Sequence, residues 1–139
     1  MNFVFGQNAD ELNTQSKELL NNRNYEKALP ILKKSAELGN AEAQYNLGYF
    51  LQNGIGIAKN EKEAFEWYKK SSENSFNDGH YAMMMAYGNG IGTEVDGEKA
   101  FEYALKCANN DDATCMWNIV NSYKQGLGVP KNTNKMVEW

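Results

Sequence analysis

Cys107 and Cys115 are the two cysteines of this chain, eight residues apart, and they are its sharpest chemical feature. Two thiols at this spacing admit two readings. They bridge when their Cα atoms come within roughly 5.5 Å of each other, or they fill two small buried positions as free thiols. A bridge closing so short a loop contributes ~2.5 kcal/mol in the chain-entropy description, and it requires an oxidising compartment. Other chemistry is harder to assemble. His80 is the only histidine, so no histidine cluster exists to hold zinc or to serve as a general base, and a packing or surface role is expected for it. Asp111 and Asp112 are adjacent carboxylates, but a hard cation needs more oxygen ligands than their neighbourhood offers. They read instead as residues placed ahead of a helix, where carboxylates cap free amides and suit the positive end of the dipole. The glycine-rich "GNGIGT" at 88–93 invites a dinucleotide reading, yet that fingerprint needs a strand before the glycines, and the residues before it have helical character. No metal or cofactor is expected.

The elements that must position these residues are helices. The stretch "EKEAFEWYKKSSEN" puts Ala64, Phe65, Trp67, Tyr68, Ser71 and Ser72 at helical spacing, with Lys and Glu on the outer face. "AEAQYNLGYFLQNG" alternates enough to pass for a strand, but its Ala and Gln and its shortage of β-branched residues favour a helix. Eight Tyr, six Phe and three Trp supply a core, so wholesale disorder is not expected. The formal charge of −4 gives no basic stripe for a phosphate backbone or an anionic membrane. No apolar run approaches the roughly 20 residues that span a bilayer. The opening "MNFVFGQNADEL" shows neither a basic stretch nor a long apolar one, so no secretory signal is visible in it.

The helices recur. With an ungapped offset of 36, Leu47, Met83 and Ile119 coincide, as do Tyr45, Tyr81 and Trp117. Gly54, Gly90 and Gly126 coincide, and so do Gly56, Gly92 and Gly128. Such a period marks a repeat architecture. Each unit is two helices joined by Gly-x-Gly, where the first glycine ends a helix in a left-handed turn and the second lets the chain reverse. Asn60, Asp96 and Asn132 then stand ahead of each second helix as caps worth ~1 kcal/mol apiece. A fainter unit lies upstream. Its first helix, roughly Ala9 to Asn21, lacks the glycine connector, and "YEKALPILKKSAELG" matches the second helix, with Pro30 expected near the first turn.

In "AQYNLGYFLQNGIGIAKNEKEAFEWYKKS", "YGNGIGTEVDGEKAFEYALK" and "YKQGLGVPKN" the chain resembles the Sel-one-like repeat, a relative of the tetratricopeptide repeat. It departs from the motif at Met84, Val120 and Met136. The resemblance implies an all-α fold, an α/α superhelix or solenoid of antiparallel helix pairs with a concave inner surface. It divides the chain into a tail at 1–8, a tetratricopeptide-like capping pair at 9–38, and repeats at 39–74, 75–110 and 111–139. The last repeat has an incomplete second helix, since Trp139 matches mid-helix Trp67, and a fragment of a longer array is the favoured reading of that end. The spacing of Cys107 and Cys115 is also similar to that of the Helicobacter cysteine-rich proteins, which staple most repeats this way; here one junction carries the pair.

Proteins of this kind typically hold peptides or other proteins, so the resemblance implies a non-catalytic scaffold whose first helices line a groove. The candidate partner-binding residues are Tyr45, Tyr49, Tyr81, Met85, Trp117 and Asn121. Tyr and Trp dominate interface hot spots, although Tyr45, Tyr81 and Trp117 recur in every copy and equally fit packing between repeats. Tyr49, Met85 and Asn121 differ between copies and are the better specificity candidates. In the run 83–85, Met83 reads as core, Met84 takes the close-packing place of Gly48, and Met85 faces the groove. A protein or peptide partner with some basic character suits the acidic chain; nucleic acid does not. Two alternatives stand beside this: a β-lactam-binding or weakly hydrolysing protein, by the cysteine-rich resemblance, and a purely structural segment. Against the first, the chain contains no Ser-x-x-Lys and no Lys-Thr-Gly. The compartment follows the thiols: periplasmic or secreted if they are bridged, cytoplasmic otherwise.

Overall fold

A computed structural model describes residues 8–139 and consists there of eight helices with no strand. They are α1 (Ala9–Asn21), α2 (Tyr25–Glu37), α3 (Ala41–Asn53), α4 (Glu61–Glu73), α5 (Asn77–Asn89), α6 (Gly97–Ala108), α7 (Ala113–Gln125) and α8 (Thr133–Glu138). Apart from Asn8, the tail expected at 1–8 lies outside the described residues, as does most of the opening stretch searched for a signal. Each helix packs on the next in sequence, and α3 also touches α5. The hairpins therefore stack on their successors as a solenoid.

Short polar side chains start nearly every helix. Asn60, Asp96 and Asn132 accept from the amides of Glu63, Lys99 and Lys135, as their spacing predicts. Asn8, Asn24 and Asn40 do the same for α1, α2 and α3. At α7 the two aspartates divide the work. Asp112 accepts from the amides of Thr114 and Cys115, whereas Asp111, expected to share the capping, takes a left-handed turn at φ 60° instead. That is the place held by Gly39 and Ser75 at the earlier junctions, where φ is also positive. Pro30 is the sixth residue of α2 rather than part of its first turn. It is exposed along with Glu26, so the carbonyl that loses a donor to the proline ring is left beside water.

The connectors do more than reverse the chain. Gly90 ends α5 in a left-handed cap with φ 73°. Gly92 sits so close to the preceding repeat that a Cβ there would lie 2.1 Å from the Glu61 carbonyl oxygen. Gly128 repeats this contact against the Gly97 carbonyl oxygen, also at 2.1 Å. The second glycine is thus a joint between repeats as well as a turn.

Two apolar clusters form the core. One runs from Leu32 through Leu47, Phe65 and Trp67 to Met83. The other gathers Met84, Ala104, Ile119 and the two cysteines. Leu47, Met83 and Ile119, one period apart, are all completely shielded from solvent. Burying such a side chain contributes about 1.5–3 kcal/mol each. The chain's last turns are different: α8 buries nothing, and Trp139 is 40% exposed where its counterpart Trp67 is 8% exposed.

Candidate functional site

Three junctions join the hairpins, and each has a link spanning eight residues. At the first, Gln44 Nε2 donates to the carbonyl oxygen of Ala36 at 3.1 Å. At the second, Ser72 Oγ and His80 Nδ1 lie 2.6 Å apart. At the third, Cys107 and Cys115 form a disulfide with Cα atoms 5.8 Å apart. Both cysteines are fully buried. Cys107 takes the place of Ser35 and Ser71, whose hydroxyls instead donate to the carbonyls of Ala9 and Ala41, at the start of the partner helix in their own hairpins. The Asp112 carboxylate lies near the two sulfurs, but it is held by helix-capping bonds. Burial and the positive charge of Lys106 both push the His80 pKa down.

The first helices α3, α5 and α7 carry the expected partner-binding residues. Tyr45 is half-buried, its ring 5.8 Å from that of Tyr68 and 6.0 Å from that of Phe76. Burial foremost, then the Asp78 carboxylate, raises its phenol pKa. Tyr49 is 46% exposed and sits edge-on to Phe50. Tyr81 and Met85 are half-buried. Trp117 is 64% exposed. Asn121 is half-buried and accepts from Gln125 Nε2 at 2.6 Å. At the edge of this face Glu42 accepts from Asn13 at 2.6 Å and from Lys17 at 2.9 Å. Burial works to raise its pKa, but these two partners outweigh it and hold the carboxyl below its ordinary value.

Two cavities open along this face. One, of about 160 Å³, brings Tyr45, Tyr49, Tyr81 and Met85 together with Gln52 and Tyr68. The other, of about 380 Å³, lies between α5, α6 and α7 and brings Met85 and Asn121 together with Gly88, Ala104, Asn118 and Leu127. Trp117 lines neither. The second cavity is the first displaced by one period: Met85, Gly88, Ala104, Asn121 and Leu127 stand 36 residues after Tyr49, Gln52, Tyr68, Met85 and Ile91. Tyr68, Gly88 and Ala104 were not among the expected site residues. Comparing the 36-residue counterparts Tyr68 with Ala104, and Gln52 with Gly88, is the signal that reveals them.

The Sel1 repeat family matches residues 22–40, 41–76, 79–112 and 121–139. Among solved structures, the chain is similar to a Sel1 repeat protein from Oxalobacter formigenes, with 30% identity and a TM-score of 0.86. That match covers 99% of this chain and 58% of the other. It is also similar to c5321, a protective antigen present in uropathogenic Escherichia coli strains and displaying an SLR fold. There the identity is 26% and the TM-score 0.90, over 94% of this chain and 29% of that one. This chain therefore spans less than two thirds of either relative. Helicobacter pylori cysteine rich protein B shares the fold at 22% identity and a TM-score of 0.64, over 67% of this chain and 70% of its own. Sel1 repeats generally serve as protein-interaction scaffolds and are typically non-catalytic. With the family matched along most of its length and the same stack of helix pairs in solved relatives, the chain belongs to the Sel1 repeat family.

Proposed function

We propose that this protein is a non-catalytic scaffold that binds a peptide or partner protein along the face formed by α3, α5 and α7, within repeats at 39–74, 75–110 and 111–139. The observation carrying this reading is the pair of cavities between successive first helices, the smaller one lined by the exposed ring of Tyr49. Aromatic side chains held on rigid helices present large contact area at little entropic cost. Asp78 on α5, together with the net charge of −4, suits a partner with basic flanks. Among the described residues no helix is long and apolar enough to cross a membrane. The Cys107–Cys115 bridge supports residence in an oxidising compartment, periplasmic or extracellular. A displayed random-peptide library panned against the immobilised chain tests the reading. Selected peptides are expected to lose at least ~10-fold in affinity, about 1.4 kcal/mol, to a Tyr49→Ala, Asn121→Ala double variant. Unchanged binding to that variant places the site elsewhere.

A further inference from the structure

The two cavities share one architecture and differ in what fills them. In the smaller one the Tyr68 ring lies across Gly48, so close that a Cβ on that glycine would sit 2.7 Å from the ring carbons. Tyr68 is almost fully buried, and its hydroxyl donates to Gln52 Oε1 at 2.6 Å. One period later Ala104 replaces Tyr68 and Gly88 replaces Gln52. Met84, in the place of Gly48, is buried beside Ala104 but does not make up the loss, and 380 Å³ remains where the repeat before leaves 160 Å³. The repeat thus lacks a tyrosine at this position and keeps the space.

The walls describe the missing occupant. Met84, Phe101 and Ala104 supply apolar surface, and no lining residue is ionisable. Asn118 Nδ2 donates to the Thr114 carbonyl at 2.9 Å, which leaves its side-chain oxygen without a protein donor among the described residues. That oxygen offers a hydroxyl the acceptor that Gln52 offers Tyr68. The size lies within the range of small-ligand pockets, and buried hydroxyls need such a partner.

We propose that the cavity between α5, α6 and α7 is a receptacle for a tyrosine side chain of the bound peptide, which replaces in trans the Tyr68 ring that the chain supplies to itself one repeat earlier. This rests on the peptide-binding reading of the first-helix face and adds the residue the peptide must present.

The side-chain analogue 4-methylphenol is the first probe, added at millimolar concentration to the full chain with ¹³C-methyl methionine. Saturable shifts are expected at Met84 and Met85, with Met83 unmoved. A triple variant restoring the earlier repeat's set, Ala104→Tyr with Gly88→Gln and Met84→Gly, is expected to fold and to show no shift at Met85. Toluene is expected to bind at least ~3-fold more weakly, because it leaves the acceptor unpaired. Absence of shifts, shifts that persist in the triple variant, or equal toluene binding overturns the assignment. The second arm sequences the panned peptides, which are expected to share a tyrosine at one position and to bind the triple variant at least ~10-fold more weakly. Peptides that need Tyr49 and Asn121 but carry no shared tyrosine sink this inference and leave the binding face standing. Binding of 4-methylphenol with no peptide selected overturns the peptide as its source, and the peptide-binding reading falls with it.

Discussion

Reducing the Cys107–Cys115 bridge, with both thiols left in place, releases α7 and α8 while leaving the earlier hairpins intact. The magnitude follows from the loop. Eight residues separate the cysteines, and the chain-entropy description gives about 2.5 kcal/mol for closing such a loop. The location follows from the packing. Cys115 and Ile119 are the only buried residues of α7, and α8 has none. The α3–α4 hairpin, in contrast, buries Leu47, Leu51, Ala64, Phe65, Trp67 and Tyr68. In a repeat stack each unit is held by its neighbours alone, so the loss stays local. Amide hydrogen exchange read by mass spectrometry, with and without a phosphine reductant, separates the two regions. Protection of the amides in α7 is expected to fall about 70-fold, the exchange equivalent of 2.5 kcal/mol. Amides of α3 and α4 are expected to change less than about 2-fold. An equal loss throughout the chain refutes the local reasoning. No loss in α7 shows that two buried thiols pack as well as the bridge does.

Other perturbations follow from the same contacts. Gly92→Ala places a Cβ against the Glu61 carbonyl at positive φ and is expected to cost about 2–4 kcal/mol in urea unfolding. Gly88→Ala, on the exposed face of α5 with its nearest neighbour 4.0 Å away, is expected to be neutral or to stabilise by up to about 1 kcal/mol. Asn60→Ala removes the cap of α4 and is expected to lower stability by about 1 kcal/mol. The folded state holds the His80 pKa below its ordinary value, so unfolding takes up a proton. Stability is therefore full above the unfolded pKa of about 6.5 and falls as pH drops through the lower folded value. Denaturation midpoints measured between pH 8 and 5 are expected to show this slope, and His80→Gln, the residue of the first junction, is expected to remove it. Glu42, also depressed, adds its own loss only below its ordinary value of 4.5.

The helical spacing of Phe65, Trp67 and Tyr68, the capping asparagines and the glycine connectors were legible because each is a local device. A side chain three residues from the amide it caps needs no distant partner to declare itself. Even so, Asp111 was misread as a cap, since the turn it makes is shared with Gly39 and Ser75 through backbone angle rather than residue type. Tyr45 and Trp117 look alike in the repeat pattern, yet one is half-buried against Tyr68 and Phe76 and the other is 64% exposed. That difference depends on neighbours drawn from other helices.

By itself the sequence determined the period of 36, the helix pairs, their caps and the turn glycines, because these rest on chemistry within a few residues of chain. Only the tertiary structure decided that Cys107 and Cys115 meet in a bridge, that Gly92 and Gly128 press against the preceding hairpin, and that one cavity is narrowed by Tyr68 while the next is left larger. A cavity is the space several helices leave between them, so its size depends on all of their side chains at once and is written in no single stretch of sequence.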